Sequence, residues 1–253
     1  MFRPRIIPVL LLKGKGLFKS IQFKNHQYLG DPINAVKIFN DLKADELVFL
    51  DISASRENRL ISLDFVKNVG EEANMPFAVG GGIKSIKDIQ DIIASGAEKV
   101  IIGSNAINNP KFIKEASENF GSSTVTVCID VKKKIIGGER VWTLNGTKSS
   151  KYKPEEFAEL MQENGAGEII IQSIINDGEM NGYAIPLIKR VSRQVKIPVV
   201  ALGGAGDIND LKEAYNYGYA NGLAAGSLFV YQNKMRGVLI NYPEKQELKK
   251  IYL

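Results

Sequence analysis

Short runs rich in Val and Ile alternate along the whole chain with longer segments whose apolar residues recur every three or four positions. The short runs have the near-continuous hydrophobicity of strands buried on both faces. The longer ones carry the single apolar stripe of amphipathic helices. The pattern predicts strands near Arg5–Leu12, Glu46–Ile52, Phe77–Gly80, Lys99–Gly103, Thr124–Val131, Glu168–Ser173, Pro198–Leu202 and Gly222–Ala225. Helical faces are read from Ile33, Val36, Phe39 and Leu42, from Ile86, Ile89, Ile92 and Ile93, and from Phe157, Leu160 and Met161. Asp31-Pro32, Ser85, Asn109-Pro110, Lys153-Pro154 and Asp207 are predicted to start helices, through side-chain caps or the fixed φ of proline. Eight such alternations in 253 residues predict an α/β fold, a (β/α)8 TIM barrel formed as one domain over residues 1–253.

An internal repeat sharpens this expectation. Val79-Gly80-Gly81-Gly82-Ile83 precedes a helix, Ser95-Gly96-Ala97, a strand and Ile102-Gly103-Ser104. Leu202-Gly203-Gly204-Ala205-Gly206 precedes a helix, Tyr217-Gly218-Tyr219, a strand and Ala225-Gly226-Ser227. The copies lie about half a chain apart, the mark of a duplicated half-barrel.

Glycines at a strand-to-helix turn let the backbone approach an anion, and the free N–H groups of the next helix point at it. Gly80, Gly81 and Gly82 with Gly103 and Ser104 therefore form one expected phosphate cradle. Gly203, Gly204 and Gly206 with Gly226 and Ser227 form the other. Both fall at the C-terminal ends of strands, where barrel enzymes keep their sites, and suit a ligand with a phosphate at each end. Asp130, also at a strand's C-terminal end, is an acid–base candidate or else a structural cap. Lys19, between Gly14 and Gly16 on one side and a long loop on the other, is read as part of a mobile lid or as a surface lysine.

At the other end, Arg5, Glu46, Lys99 and Glu168 each begin a strand. Counting by two from them reaches Ile7 and Val9, then Val48, Ile101 and Ile170, which share their direction. If that direction is inward, four charges of alternating sign ring the barrel floor beneath an apolar lumen. If it is outward, they are solvated strand starts.

Composition narrows the chemistry further. The net charge is +5, but the basic residues are scattered and no nucleic-acid recognition motif is present, so anionic small molecules are the expected partners. The densest run, Lys132–Lys134, is read as a solvated loop tip. No apolar run is long enough to span a bilayer, and no secretory leader pattern opens the chain. The single cysteine, Cys128, cannot form an internal disulfide and fits a cytoplasmic location; in an apolar strand it is read as a packing thiol. With one cysteine and one histidine, His26, neither a zinc site nor a Ser/His/Asp triad is expected, and no cofactor is implied. Trp142 is read as the anchor of a small hairpin between Gly137 and Gly146.

Arg5-Ile6-Ile7-Pro8, Gly30-Asp31-Pro32, Ala44 through Ile52, the first glycine triplet, Asp177-Gly178 with Asn181-Gly182-Tyr183, and Gly203 through Gly206 occur in order. In these the chain resembles the cyclase subunit of imidazole glycerol phosphate synthase over nearly its whole length. The resemblance implies a glutaminase docked on the barrel floor and an ammonia gate matched by Arg5, Glu46, Lys99 and Glu168. It also implies a ribulosyl-aminoimidazole bisphosphate substrate at the top, worked on by two aspartates. Asp130 matches one aspartate, and Lys19 and Asp177 match further site residues. The other aspartate's position holds Leu11, the expected cysteine is Val9, the expected serine is Leu202 and the expected asparagine is Gly103. Leucine neither donates nor accepts a proton, so half of that acid–base pair is missing. Leu10-Leu11-Leu12-Lys13, Lys24-Asn25 and Val238 through Tyr242 resemble a branch that works with a glutaminase and a third, amidotransferase partner to form acetamidino groups on bacterial surface sugars. The alternatives are a working histidine-pathway cyclase, a non-catalytic adapter that binds a phosphorylated ligand, and another phosphate-binding barrel such as a sugar isomerase.

Overall fold

The structure, a computed structural model, describes residues 3–134, 136–232 and 235–252. In chain order its strands are β1 (Arg5–Lys13), β2 (Gly16–Ile21), β3 (Lys24–Gly30), β4 (Leu47–Asp51), β5 (Phe77–Gly80) and β6 (Lys99–Ile102). They continue with β7 (Val125–Lys134), β8 (Gly138–Thr143), β9 (Lys148–Ser149), β10 (Glu168–Ser173), β11 (Val199–Leu202) and β12 (Gly222–Ala225). Eight of these, β1, β4, β5, β6, β7, β10, β11 and β12, pair in parallel around a closed circle. With helices between successive strands, this is the expected (β/α)8 TIM barrel. All eight expected barrel strands form, within a residue of their predicted ends except β7, which runs three residues beyond Val131; Glu46 lies one residue ahead of its strand.

The two-residue period of each strand divides the interior into two cores. On β7, Val125, Val127, Ile129 and Val131 turn outward and belong to the layer between barrel and helices that also holds Phe39, Phe49, Phe157 and Phe229. Inside the barrel, Ile7, Val9, Val48, Ala78, Ile101, Ile170, Val200, Leu202 and Ala224 form a separate aliphatic cluster. The parity counted from Arg5, Glu46, Lys99 and Glu168 is thus the inward one. No helix among the described residues is long and apolar enough to cross a membrane.

Helix starts follow local chemistry. Asp31, Ser85 and Asp207 cap their helices with side-chain carboxylate or hydroxyl oxygens, and Lys153-Pro154 starts one through proline alone. Ser85 with Asp88 and Asp207 with Asp210 form reciprocal capping boxes just beyond the two glycine turns. The duplication thus extends to hydrogen bonding. Asn109-Pro110 departs from expectation: Asn109 ends the short helix Ser104–Asn108, and Pro110 itself is the cap residue of Lys111–Phe120, without a side-chain bond.

Two excursions at the C-terminal end were read as loops and are ordered. After β1, the β2–β3 hairpin pairs back onto β1, and Lys19 lies within β2. After β7, Lys132–Lys134 continue the strand and pair with Gly138–Arg140 of β8. Trp142 does anchor that hairpin: its indole N–H donates to the Lys132 carbonyl at 2.9 Å, and the Lys132 ammonium lies 5.2 Å from its ring.

Candidate functional site

Three arrangements stand along the barrel axis: a ring of charges at the floor, an open pocket at the mouth and a narrow second cradle beside it. The floor ring is built by alternate ion pairs. The Arg5 guanidinium donates to both Glu46 and Glu168, and Lys99 Nζ lies 3.1 Å from Glu46 Oε1 and 3.5 Å from Glu168 Oε2. The two carboxylates are buried, while Arg5 and Lys99 reach toward the N-terminal face. Burial works to lower the Arg5 pKa, but Glu168 and Glu46 more than offset it and hold it above its ordinary value. Every charge in the ring therefore has an opposite neighbour on two sides, which makes its burial tolerable.

The mouth holds a cavity of about 130 Å3 lined by the first cradle, Gly80–Gly82 with Gly103 and Ser104, together with Asp130 and an apolar wall that includes Leu11, Leu50, Ile101 and Phe23. Gly82 has φ +72°, and a Cβ there would stand 1.8 Å from the Arg59 carbonyl oxygen. The turn is closed from beneath by Asp51, which accepts from the N–H groups of Ser53 and Ala54 and from Arg59 Nη1 at 2.6 Å. From above, the turn after β8 reaches over: Leu144 N–H donates to Ser104 Oγ at 3.1 Å, and Asn145 Nδ2 to the Ile52 carbonyl at 2.6 Å.

Asp130 sits on β7 with Cys128 two residues below it, the thiol 3.7 Å from Asp130 Oδ1. Burial raises the Asp130 carboxyl to about 7; the Cys128 hydrogen bond opposes this and the Asp177 charge adds to it. Burial, and then Asp130, push the Cys128 thiol up as well. Cys128 packs against the aliphatic lumen, as expected of a packing thiol, and its parity also brings it to the lining of the mouth beside Asp130. His26 lies on β3 at the rim of the cavity. Its pKa is lowered by burial and then by Lys13, Arg56 and Lys19, a positive surrounding suited to an anion.

The raised Asp130 carboxyl has a consequence for stability. Its proton is favoured in the folded state, so stability falls as pH rises from about 4, the unfolded value, to about 7. That interval corresponds to about 4 kcal/mol, which water in the open mouth cuts to about 2 kcal/mol. Asp130→Asn is expected to match the wild type in urea unfolding at pH near 4 and to exceed it by about 2 kcal/mol above pH 8. Parallel pH profiles for the two proteins would contradict the assignment.

The second cradle is lined by Gly203, Gly204, Gly226 and Ser227 with Lys19 and Asp177, and encloses only about 10 Å3. Lys19 is neither lid nor surface lysine: it is buried, with Nζ 3.0 Å from Asp177 Oδ1 and its stem against Gly226. Ser20 Oγ donates to the other Asp177 oxygen at 2.9 Å. Ser227 Oγ is buried without a hydrogen-bond partner. Gly206 lies outside this lining, its N–H given to Asp210 Oδ2 at 2.7 Å. Of the expected site residues Asp130, Lys19 and Asp177, the structure therefore sets Asp130 in the open mouth and pairs Lys19 with Asp177 at the second cradle. Asp51, Gln172 and Asn145 also line the mouth. The sequence carried a signal for Asp51 and Gln172, which fall at or near strand C-termini. It carried none for Asn145, which arrives on the turn after β8.

The family model described as "Histidine biosynthesis protein" matches residues 5–236. A Vibrio vulnificus protein, provisionally named imidazole glycerol phosphate synthase subunit hisF3, is 43% identical over 251 residues, covering 99% of this chain and 96% of that protein. A Pseudomonas aeruginosa protein, provisionally named subunit hisF2 of the same synthase, is 42% identical over 248 residues, or 98% of this chain and 99% of its own. The imidazole glycerol phosphate synthase subunit HisF of Alkaliphilus metalliredigens is 41% identical over 231 residues, covering 91% and 92%. The chain thus belongs to the histidine biosynthesis protein family, as a homologue of the HisF subunit of imidazole glycerol phosphate synthase.

Proposed function

We propose that this barrel is the ammonia-conducting subunit of a glutamine-dependent synthase complex, supplying acetamidino group formation on a surface sugar. One juxtaposition carries the reading: a complete ring of paired charges closes a largely aliphatic lumen, while Leu11 stands in the mouth with Asp130. Arg5, Glu46, Lys99 and Glu168 would act as a gate that opens by one side chain swinging aside. Above it the aliphatic lumen passes neutral ammonia and rejects ammonium, whose desolvation it does not repay. A glutaminase would dock around the floor, touching the exposed Glu98 beside Lys99, with an amidotransferase as the third partner. The two cradles would hold a phosphorylated small molecule. Gly81, Gly82, Gly103 and Ser104 would grip one phosphate, and Gly203, Gly204, Gly206, Gly226 and Ser227 the other. Asp130 would exchange protons, with Lys19 and Asp177 in support; for a phosphate to enter the second cradle, Lys19 must move.

A second reading, that the barrel itself closes the imidazole ring as a lyase-type cyclase, is favoured by Asp130, whose carboxyl near neutrality suits a general acid or base. The two readings separate in glutamine-dependent turnover with the cognate glutaminase, tested against both acceptors.

The gate is tested by Lys99→Ala, which leaves two buried carboxylates sharing one cation. Breaking such a pair costs about 3–5 kcal/mol where it is fully buried, and less in this partly solvated ring. The expected result is glutamine hydrolysis that yields less product per glutamine, with turnover on added ammonium largely retained. Unchanged coupling would overturn the proposal.

A further inference from the structure

The lumen is lined unevenly. β1, β4, β11 and β12 give it Ile7, Val9, Val48, Val200, Leu202 and Ala224, all aliphatic. On β7 the inward parity carries Thr126, Cys128 and Asp130 instead, rising from floor to mouth. Thr126 pairs in register with Glu168, the ring carboxylate, and with Ile101 on the other side. It is 1% exposed, and its Oγ1 has no hydrogen-bond partner. With Glu46, Glu168 and Ile101 it lines a cavity of about 10 Å3 immediately above the ring. That is room for one molecule the size of water or ammonia.

A buried hydroxyl without a partner is costly, and valine would fill the same shape without that cost. The hydroxyl is therefore explained by something that visits it. Two residues along a strand rise by about 6.7 Å, so one small molecule bonded to Thr126 Oγ1 comes within reach of Cys128 Sγ. Cys128 in turn lies 3.7 Å from Asp130.

We infer that Thr126 is a positioning residue for the ammonia that passes the ring, and that β7 forms a one-sided hydrogen-bonding track from Glu168 through Thr126 and Cys128 to Asp130. The inference rests on the ammonia-conduction reading above. The molecule stays neutral along the track: Thr126 donates to its lone pair or accepts one of its N–H groups, and Cys128 offers the next weak partner. Below the mouth, where Gln172 of β10 stands level with Asp130, the facing walls are aliphatic, give it nothing to bind and keep it on this side.

The test uses the full chain in complex with its cognate glutaminase and reads product formed per glutamine hydrolysed. Thr126→Val is expected to lower that ratio about threefold to tenfold, the worth of one hydrogen bond, and Thr126→Ser to restore most of it. A merely structural threonine would show the reverse, with Val raising the melting temperature and leaving the ratio alone. Crystals of the full chain equilibrated in alkaline ammonium solution are expected to show one peak of density within hydrogen-bonding distance of Thr126 Oγ1, absent from Thr126→Val. A lowered ratio in Lys99→Ala with an unchanged one in Thr126→Val overturns the track and leaves conduction standing. Unchanged ratios in both overturn conduction and the track with it. Density at Thr126 together with an unchanged ratio identifies a structural water and also overturns the track.

Discussion

Given the ribulosyl-aminoimidazole bisphosphate substrate and saturating ammonium, the barrel is expected to turn over at least about a hundredfold more slowly than a cyclase with both aspartates, since losing one general acid–base group costs about 10²–10⁴ in rate. Supplying ammonium directly removes the glutaminase and the gate from the measurement, so only the mouth is tested. There Leu11 lines the cavity shared with Asp130 and presents methyl groups where a proton would have to be exchanged. Leu202 and Val9 extend the same apolar surface into the lumen. Leu11→Asp with Val9→Cys is expected to regain part of the rate, and to push the Asp130 pKa higher still, because two carboxylates facing one cavity disfavour ionising together. A wild-type rate matching a two-aspartate cyclase would remove the basis for supply to a separate acceptor and support ring closure in this barrel.

The second large effect is expected from Gly82→Ala. The residue stands at φ +72°, and the added Cβ would lie 1.8 Å from the Arg59 carbonyl oxygen and 3.3 Å from Ala54 Cβ. The backbone atom cannot yield cheaply, because Arg59 is fixed through its guanidinium to Asp51 at 2.6 Å. Strained φ and overlap together are expected to cost about 3 kcal/mol or more in urea unfolding, and to abolish stabilisation by inorganic phosphate at this cradle. Gly103→Ala supplies the contrast. It lines the same cavity at φ −108°, and the atom nearest its added Cβ is 3.7 Å away. It is expected to fold within about 1 kcal/mol of the wild type. Equal behaviour of the two variants would show that the turn is looser than its geometry.

The barrel was legible in the sequence because a strand covered on both faces needs a largely apolar middle, and each of the eight has one, with its polar residues gathered mainly at the ends. The floor ring was legible for a related reason: once the parity of Ile7, Val48, Ile101 and Ile170 is inward, Arg5, Glu46, Lys99 and Glu168 must follow. The β2–β3 hairpin was not. Lys19 and Ser20 are buried through Asp177, about 158 residues away along the chain, and nothing near them in sequence announces that pairing. Gly14 and Gly16 suggested a loose loop where one of them merely turns the chain into β2. Lys132–Lys134 were misplaced because charge suggests a solvated tip, whereas an edge hairpin keeps its side chains in water while its backbone is paired. The inward turn of Cys128 was available from its parity with Asp130, but its apolar neighbours outweighed that signal.

The seam that closes the cylinder joins Arg5–Pro8 of β1 to Gly222–Ala225 of β12, and Arg5 reaches across about 163 residues to Glu168. Contacts so distant in sequence form slowly, since most of the chain must be ordered before they repay the closure. During synthesis, the N-terminal strand has to wait, with one edge unpaired, until the last strand leaves the ribosome. Gly226 and Ser227, which complete the second cradle, emerge only after that last strand. A nascent chain halted before Gly222 is therefore expected to be protease-sensitive and prone to association through the open edge of β1, and a barrel still lacking β12 would hold neither a sealed floor nor a finished second cradle.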